Sequence, residues 1–232
     1  MKVKAIRTAV FPPHGDLLLF IGKYLPKISE GSIVVVTSKI VALSEGRLVD
    51  KIDDKTKMKI IKQESDIMIY GSIACLTVKD GIAMVNAGVD ESNGNGKIIL
   101  LPKDSYKAAT KIRNFLKIKY KLNNVGVIIT DSRTWPLRAG ITGAALGYAG
   151  FEGLKKYYDQ LDIFGRPFKY SRVNVADSLA TAAVFCMGEG DEQQPLAVIT
   201  GALVKYVDRI DRNELKIDIK EDIYGPLFRK IK

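Results

Sequence analysis

One run of six residues does most to limit the folds open to this chain. Val125-Gly126-Val127-Ile128-Ile129-Thr130 has no charged member and is rich in β-branched residues, which marks a strand covered on both faces rather than one that shows alternate side chains to water. Ile33-Val34-Val35-Val36-Thr37-Ser38 reads the same way. Both runs end in polar groups. Asp131-Ser132 follows the first, and Ser44-Glu45-Gly46-Arg47 lies within a turn's reach of the second. The carboxyl end of such a strand is where open α/β sheets place ligands.

Two further apolar segments deliver polar loops in the same manner. Gly81-Ile82-Ala83-Met84-Val85 runs into Asn86-Ala87-Gly88-Val89-Asp90-Glu91-Ser92-Asn93-Gly94, where Gly88 and Gly94 can take positive φ and Asp90 and Asn93 offer oxygens to a hard cation. A helix through Leu179, Ala180, Ala183, Val184 and Met187, opened by Asn174 or Asp177 and ended by Gly188, runs into Glu189-Gly190-Asp191-Glu192-Gln193-Gln194. Three acids therefore stand directly behind apolar segments: Asp90, Asp131 and Glu189. Carboxylates without histidine or cysteine company favour Mg²⁺ or Mn²⁺ over zinc, and such ions commonly bridge phosphate oxygens.

The rest of the chain supplies the frame. Strands are expected at residues 3–10, 73–78, 97–101 and 196–200, and helices over 17–25 and within the lysine-rich stretch 51–69. Asp104 or Ser105 caps a helix whose apolar positions Tyr106, Ala109, Ile112, Leu116 and Tyr120 recur at three and four. The glycine-rich segment 140–150 fits either a helix or a bulged strand. No linker, repeat or low-complexity tract divides residues 1–232, so a single compact domain is expected, with room for two lobes.

Composition removes several function classes. His14 is the only histidine, which leaves no histidine-based zinc site and no Ser-His-Asp or Cys-His catalysis beyond that residue. Cys75 and Cys186 both lie in apolar contexts, so two buried thiols are expected rather than a disulfide. Neither a Gly-x-x-x-x-Gly-Lys-Ser/Thr loop nor a strand-linked Gly-x-Gly-x-x-Gly is present. With no signal pattern and no apolar run of about 18 residues, a cytoplasmic protein without membrane contact is expected. The net charge of +10 suits an anionic partner. A nucleic-acid-binding protein would explain that charge but leaves three acidic loops unexplained, because carboxylates repel phosphate unless a metal intervenes. A catalytically inactive structural protein is the other non-enzymatic class to test.

The blocks Val34-Val35-Val36-Thr37-Ser38-Lys39 with Ser44-Glu45-Gly46-Arg47, Asn86-Ala87-Gly88-Val89-Asp90 with Ser92-Asn93, and Gly126 to Asp131 together resemble the γ-glutamyl ligases that add glutamate to the deazaflavin coenzyme F420-0. Asp162 to Arg166, Val175-Ala176-Asp177 and Met187-Gly188-Glu189-Gly190 continue the resemblance in the family's order. It implies a mixed α+β fold with flanking helices in an intertwined homodimer, GTP (or ATP) as co-substrate, two divalent ions and a monovalent cation such as K⁺. It also implies that Asp90 and Asp131 hold one metal, and that Ser132, where threonine is usual, holds the second with Glu189. Thr37, Ser38, Asn93 and the loop Met187, Gly188, Gly190, Asp191, Glu192, Gln193 and Gln194 resemble the nucleotide contacts.

Such a ligase must first turn an inert carboxylate into an electrophile, most simply an acyl phosphate that glutamate's amine then displaces. Arg138 and Arg166 are candidate clamps for phosphate or substrate carboxylates, since guanidinium matches their geometry. Two departures from the family bear on substrate choice. Leu43 stands where a lysine is usual, which predicts weaker or less guanine-selective nucleotide binding, with Lys39 as a substitute cation. After Asp131 the chain reads Ser132-Arg133-Thr134-Trp135-Pro136-Leu137-Arg138 instead of a Gly-Arg-Pro-type turn. Trp135, the only tryptophan, can cover core or stack on a flat heterocycle while Arg133 and Arg138 hold an acidic tail, an arrangement that suits a pterin as well as a deazaflavin. Members resembling this variant are linked to γ-glutamylation of folate, so tetrahydrofolate is the alternative acceptor.

Overall fold

A computed structural model describes residues 1–50, 53–158 and 160–229. In chain order the first elements are β1 (Lys2–Ile6), α1 (Leu17–Tyr24), β2 (Ser32–Thr37), α2 (Ser38–Ser44) and β3 (Leu48–Asp50). They are followed by α3 (Asp54–Gln63), β4 (Ile67–Tyr70), β5 (Cys75–Lys79), β6 (Ile82–Val85), a 3₁₀ turn (Asn86–Gly88) and β7 (Lys97–Ile99). Then come α4 (Ser105–Tyr120), β8 (Val125–Thr134), β9 (Ile141–Ala149), β10 (Leu154–Lys156), β11 (Arg172–Asn174), α5 (Val175–Met187), β12 (Leu196–Thr200) and α6 (Gly225–Arg229). The fold is of the α+β class that the sequence led us to expect.

The central sheet has the order β1-β12-β2-β8-β9, and only the β2–β8 pair is parallel. Because strand side chains alternate, β2 and β8 feed two cores at once. Val34, Val36, Val125, Val127 and Ile129 pack with Ile21, Ile112 and Leu116 beneath α1, α2 and α4. Ile33, Val35 and Ile128 pack with Ala176, Ala180, Ala183, Tyr148 and Phe151 on the α5 side. A third cluster of Ile61, Cys75, Val89, Ile98 and Leu100 sits beside the antiparallel β4-β5-β6 sheet and the β3–β7 pair.

Segment 140–150 resolves into a bulged strand. Ile129 faces Gly147 but Thr130 faces Ala145, so Leu146 is the extra residue on β9. Gly147 is demanded by contact: a Cβ there would lie 2.6 Å from the Tyr106 backbone nitrogen, so the first turn of α4 rests directly on β9. Asp104 caps that helix through the Lys107 amide (2.8 Å), and Asn174 caps α5 through the Asp177 amide (3.0 Å).

Some readings shift. The chain forms α2 straight after β2, where the sequence suggested only a polar turn. Helix 51–69 contracts to α3, capped by Asp53, with β4 occupying its end, while Lys51 and Ile52 lie outside the described residues. Cys75 is buried as expected, but Cys186 is exposed because it falls on the solvent side of α5. Among the described residues no helix is long and apolar enough to cross a membrane.

Candidate active site

β2 ends at Thr37, paired with Thr130, and turns at once into α2. β8 runs on for four more residues, Asp131 to Thr134, beside β9 alone. The ladder is intact there, but one neighbouring strand has gone, and the space it leaves is filled by polar side chains from three loops.

Asp131 emerges beside the N-terminus of α2. Burial pushes its carboxyl up to about 6, and nearby Asp90 adds to the rise, while the Ser132 amide, the Lys39 charge and the Ser38 side chain oppose it. Asp90 arrives from the 86–94 loop. Burial would raise its carboxyl too, but Lys39 Nζ at 2.7 Å and the Ser92 amide and hydroxyl at 2.7 and 2.9 Å together hold it below the usual carboxylate range. Lys39 Nζ also reaches Ser92 Oγ at 2.7 Å. An ammonium thus pairs with Asp90 and lies within electrostatic reach of Asp131.

The loop that delivers Asp90 is held in an uncommon shape. Asn86, Ala87 and Gly88 have φ of 51°, 55° and 68°, three consecutive left-handed residues, a conformation costing about 1–2 kcal/mol for each residue with a Cβ. The buried Thr77 hydroxyl accepts from the Ala87 amide (2.7 Å) and donates to the Met84 carbonyl (2.8 Å), and Asn86 Oδ1 accepts from the Cys75 amide (2.9 Å). Strain of this kind, held by buried hydrogen bonds, is typical of functional loops. Of the two glycines expected at positive φ, Gly88 takes it; beyond Asp90 it is Asn93 (φ 56°) and Asn95 that do, rather than Gly94.

The third contribution comes after α5. Gly188 ends that helix at φ 80°, a region open to glycine, and its amide bonds to the Val184 carbonyl (3.0 Å). The Ser132 hydroxyl then donates to Glu189 Oε1. Asn93 Nδ2 approaches the Gly190 carbonyl at 3.4 Å, and the Glu192 carboxylate folds back to the Gly190 amide at 2.8 Å. The Gln193 carbonyl accepts from the Thr8 amide and the Pro195 carbonyl from the Thr37 amide, stitching this loop between β1 and β2.

Asp90, Asp131, Ser132, Glu189, Asn93, Thr37 and Ser38 are therefore brought to one end of the sheet, together with the 188–194 loop. Asp191 is exposed and Gln194 half-buried in that loop, and the Met187 side chain is buried in the core. Arg138 and Arg166 are exposed on turns and form no ion pair among the described residues. Leu43 packs on the α1–α2–α4 core.

The donor set suits a hard cation. Every side-chain ligand candidate is an oxygen, and these fall into two pairs, Asp90 with Asp131 and Ser132 with Glu189. Among the described residues no three acidic, histidine or cysteine side chains gather as a closed cage. One or two carboxylates with open positions is how Mg²⁺ is commonly held when phosphate and water complete its shell.

Sequence reasoning gave Lys39 only a secondary part, because its place in the first turn of α2, opposed to the helix dipole, shows only in the structure. It missed a cavity of about 250 Å³ beside Asp131 and Ser132 and a larger one of about 790 Å³, with Ile82, Met84, Arg133, Thr134 and Leu146 lining both.

The family model described as F420-0:Gamma-glutamyl ligase matches residues 5–201. The coenzyme F420:L-glutamate ligase of Methanocaldococcus jannaschii is 33% identical over 215 residues, covering 85% of this chain and 86% of that protein. Its namesakes from Methanopyrus kandleri and Methanococcus maripaludis strain C7 are each 32% identical, over 82% and 97% of both partners respectively.

Proposed function

Because this chain belongs to the F420-0:γ-glutamyl ligase family and is therefore a ligase, we propose that it joins L-glutamate to the carboxylate of a coenzyme F420-0-like acceptor at the expense of a nucleoside triphosphate. The observation that carries this reading is the meeting of Asp90, Asp131 and the Ser132–Glu189 pair, drawn from three separate segments of the chain, at the end of β8.

An acceptor carboxylate oxygen attacks the γ-phosphorus and the nucleoside diphosphate leaves. Glutamate's amine then attacks the acyl carbon, the bond to phosphate breaks, and the amine loses a proton. Two divalent ions, Mg²⁺ or Mn²⁺, would neutralise charge on the phosphate oxygens in the first step, with Asp90, Asp131, Ser132 and Glu189 as their protein ligands. Lys39 adds a fixed positive charge beside the same oxygens. Asn93 and the backbone of the Met187–Gln194 loop fit the nucleotide, GTP in the first instance, and K⁺ is the monovalent ion to test. Ser38, at the start of α2, is the candidate for phosphate, while Thr37 has only its hydroxyl to offer because its amide is given to the Pro195 carbonyl. Arg138 is free to clamp phosphate or a substrate carboxylate. Leu43 supplies no charge and Lys39 faces Asp90, so nucleotide selection weaker than strict GTP preference is expected.

Tetrahydrofolate is the second acceptor to test, because Trp135 is 40% exposed at the rim of the site and its ring suits a pterin as well as a deazaflavin. We also assign a second copy of the chain to the exposed Leu161, Ile163, Phe164 and Tyr170, which form an apolar surface on residues 161–170. Sedimentation of a dimer that a Phe164→Asp change converts to monomer would support it; a wild-type monomer would end it.

The activity is tested by incubating the purified protein with Mg²⁺ or Mn²⁺, K⁺, GTP or ATP, L-glutamate, and F420-0 or tetrahydrofolate separately. A product heavier by one glutamyl unit, seen by mass spectrometry, is expected. Extension of folate alone would replace the deazaflavin assignment, and no extension with no nucleotide hydrolysed would remove the ligase reading.

A further inference from the structure

The 790 Å³ cavity lies within the range of small-molecule sites. It shares Arg133 and Thr134 with the smaller cavity at Asp131 and Ser132, so a ligand seated in it can extend a tail to the reacting end of β8. Its polar wall is built around two guanidinium groups laid on aromatic rings. Arg133 lies 4.2 Å above the Trp135 ring, and Arg212 lies 5.5 Å above that of Tyr106. Each arginine is oriented by an acid that is itself fixed. Asp177 stands 3.8 Å from Arg133 while accepting from the Ala145 amide (2.8 Å), and Asp104 stands 3.1 Å from Arg212 while capping α4. Arg133 Nε is buried with no hydrogen-bond partner. That nitrogen is closed to solvent, so a ligand meets the part of the Arg133 side chain that remains 20% exposed.

Arg212 belongs to the C-terminal segment, beyond the 5–201 stretch that the family model matches. Residues 212 to 228 contribute one wall of the cavity. The segment is pinned by Glu214, which accepts from the buried Tyr148 hydroxyl and from the Gly153 amide at 2.7 Å. Asp104 engages only one N–H of the Arg212 fork, leaving the others for a ligand.

We infer that this cavity is the acceptor site and that it takes a flat conjugated heterocycle on an anionic, carboxylate-terminated tail. Arg133 holds the tail at the passage to Asp131, and Arg212, brought by the C-terminal segment, donates to the polar edge of the ring and sets acceptor specificity. This rests on the ligase reading for the word acceptor, but the site can be tested separately. Trp135 is the only tryptophan in the chain, so its emission reports on the cavity directly. With the full chain, F420-0 and tetrahydrofolate serve as probes. The expected result is saturable quenching of Trp135 by the acceptor that is also ligated. Arg212→Ala should weaken that binding at least tenfold and raise the acceptor KM as much, with nucleotide KM within twofold; Arg212→Lys should recover part of the loss. Normal ligation without any change in Trp135 emission, or an acceptor KM within twofold in Arg212→Ala, would overturn the assignment. If neither acceptor is ligated while Arg212-dependent quenching persists, the site stands and the ligase reading falls.

Discussion

The two halves of β8 share one backbone ladder and do opposite jobs. Val125 to Thr130 pair with β2, and from Val127 on with β9 as well; all are buried and join the two main cores. Asp131 to Thr134 keep the β9 partner but lose β2, which has already turned into α2. A strand that outruns its parallel neighbour by four residues changes from core to site with no break in its own structure. Chemistry can therefore be placed here without breaking the ladder, and its cost is local, chiefly the desolvation of Asp131.

Four substitutions would break or sharpen that contrast. Asp131→Asn should have the largest effect, lowering kcat by about a thousandfold or more (roughly 4 kcal/mol) through loss of a charge from the phosphate end. Stability, followed by thermal melting, should not fall, because the amide carries no charge to desolvate; retention of a tenth of wild-type turnover would take Asp131 out of the reacting centre. Ile128→Ala, three residues upstream, should do the reverse. It should cost about 3 kcal/mol in denaturant unfolding while kcat per folded molecule stays within twofold, and a large kcat loss would show that the halves are not separable.

Thr77→Val tests the remote support of the site. It leaves the Ala87 amide without its acceptor and should cost about 1–3 kcal/mol, with a fall of about tenfold in kcat/KM as Asp90 shifts; unchanged kinetics would mean that the left-handed turn is irrelevant to Asp90. The smallest effect is expected of Glu64→Gln, in the small-sheet region and in neither half. Burial would raise Glu64, but hydrogen bonds from Lys79 (2.7 Å) and Arg47 (2.8 Å) hold it below the usual range. Its stabilising effect is present above the unfolded carboxyl's value, near 4.3, and is lost as pH falls through the lower folded value. The variant should lose about 1 kcal/mol at neutral pH and show a shallower acid limb in a pH–stability series, with catalysis intact. An unaltered acid limb would remove the pair from the stability account.

The same contrast explains what could be read from the residues. The buried half of β8, all of β2 and the face of α4 depend on local pattern and were legible, while the caps at Asp104 and Asn174 were each narrowed to two residues. Helix α2 was not, because its seven residues are too few for a clear period and Thr37 makes no side-chain capping bond, so packing on the core fixes it. Asp90, Asp131 and Glu189 could be singled out because each follows an apolar segment. That Lys39 pairs with Asp90, that Ser132 bonds to Glu189, and that Arg212 faces Trp135's cavity are facts of long-range packing that no spacing encodes. Leu146 could be suspected as part of a bulge, yet only pairing with β8 shows which residue is extra.

The central claim, that a carboxylate is phosphorylated at the end of β8 before glutamate attacks, is tested most directly by labelling the acceptor carboxylate with oxygen-18 and following the label through one turnover. The account predicts one labelled oxygen in orthophosphate for each amide bond formed, with unlabelled nucleoside diphosphate. Label in a nucleoside monophosphate, or amide formation with none of it in phosphate, would contradict an acyl phosphate.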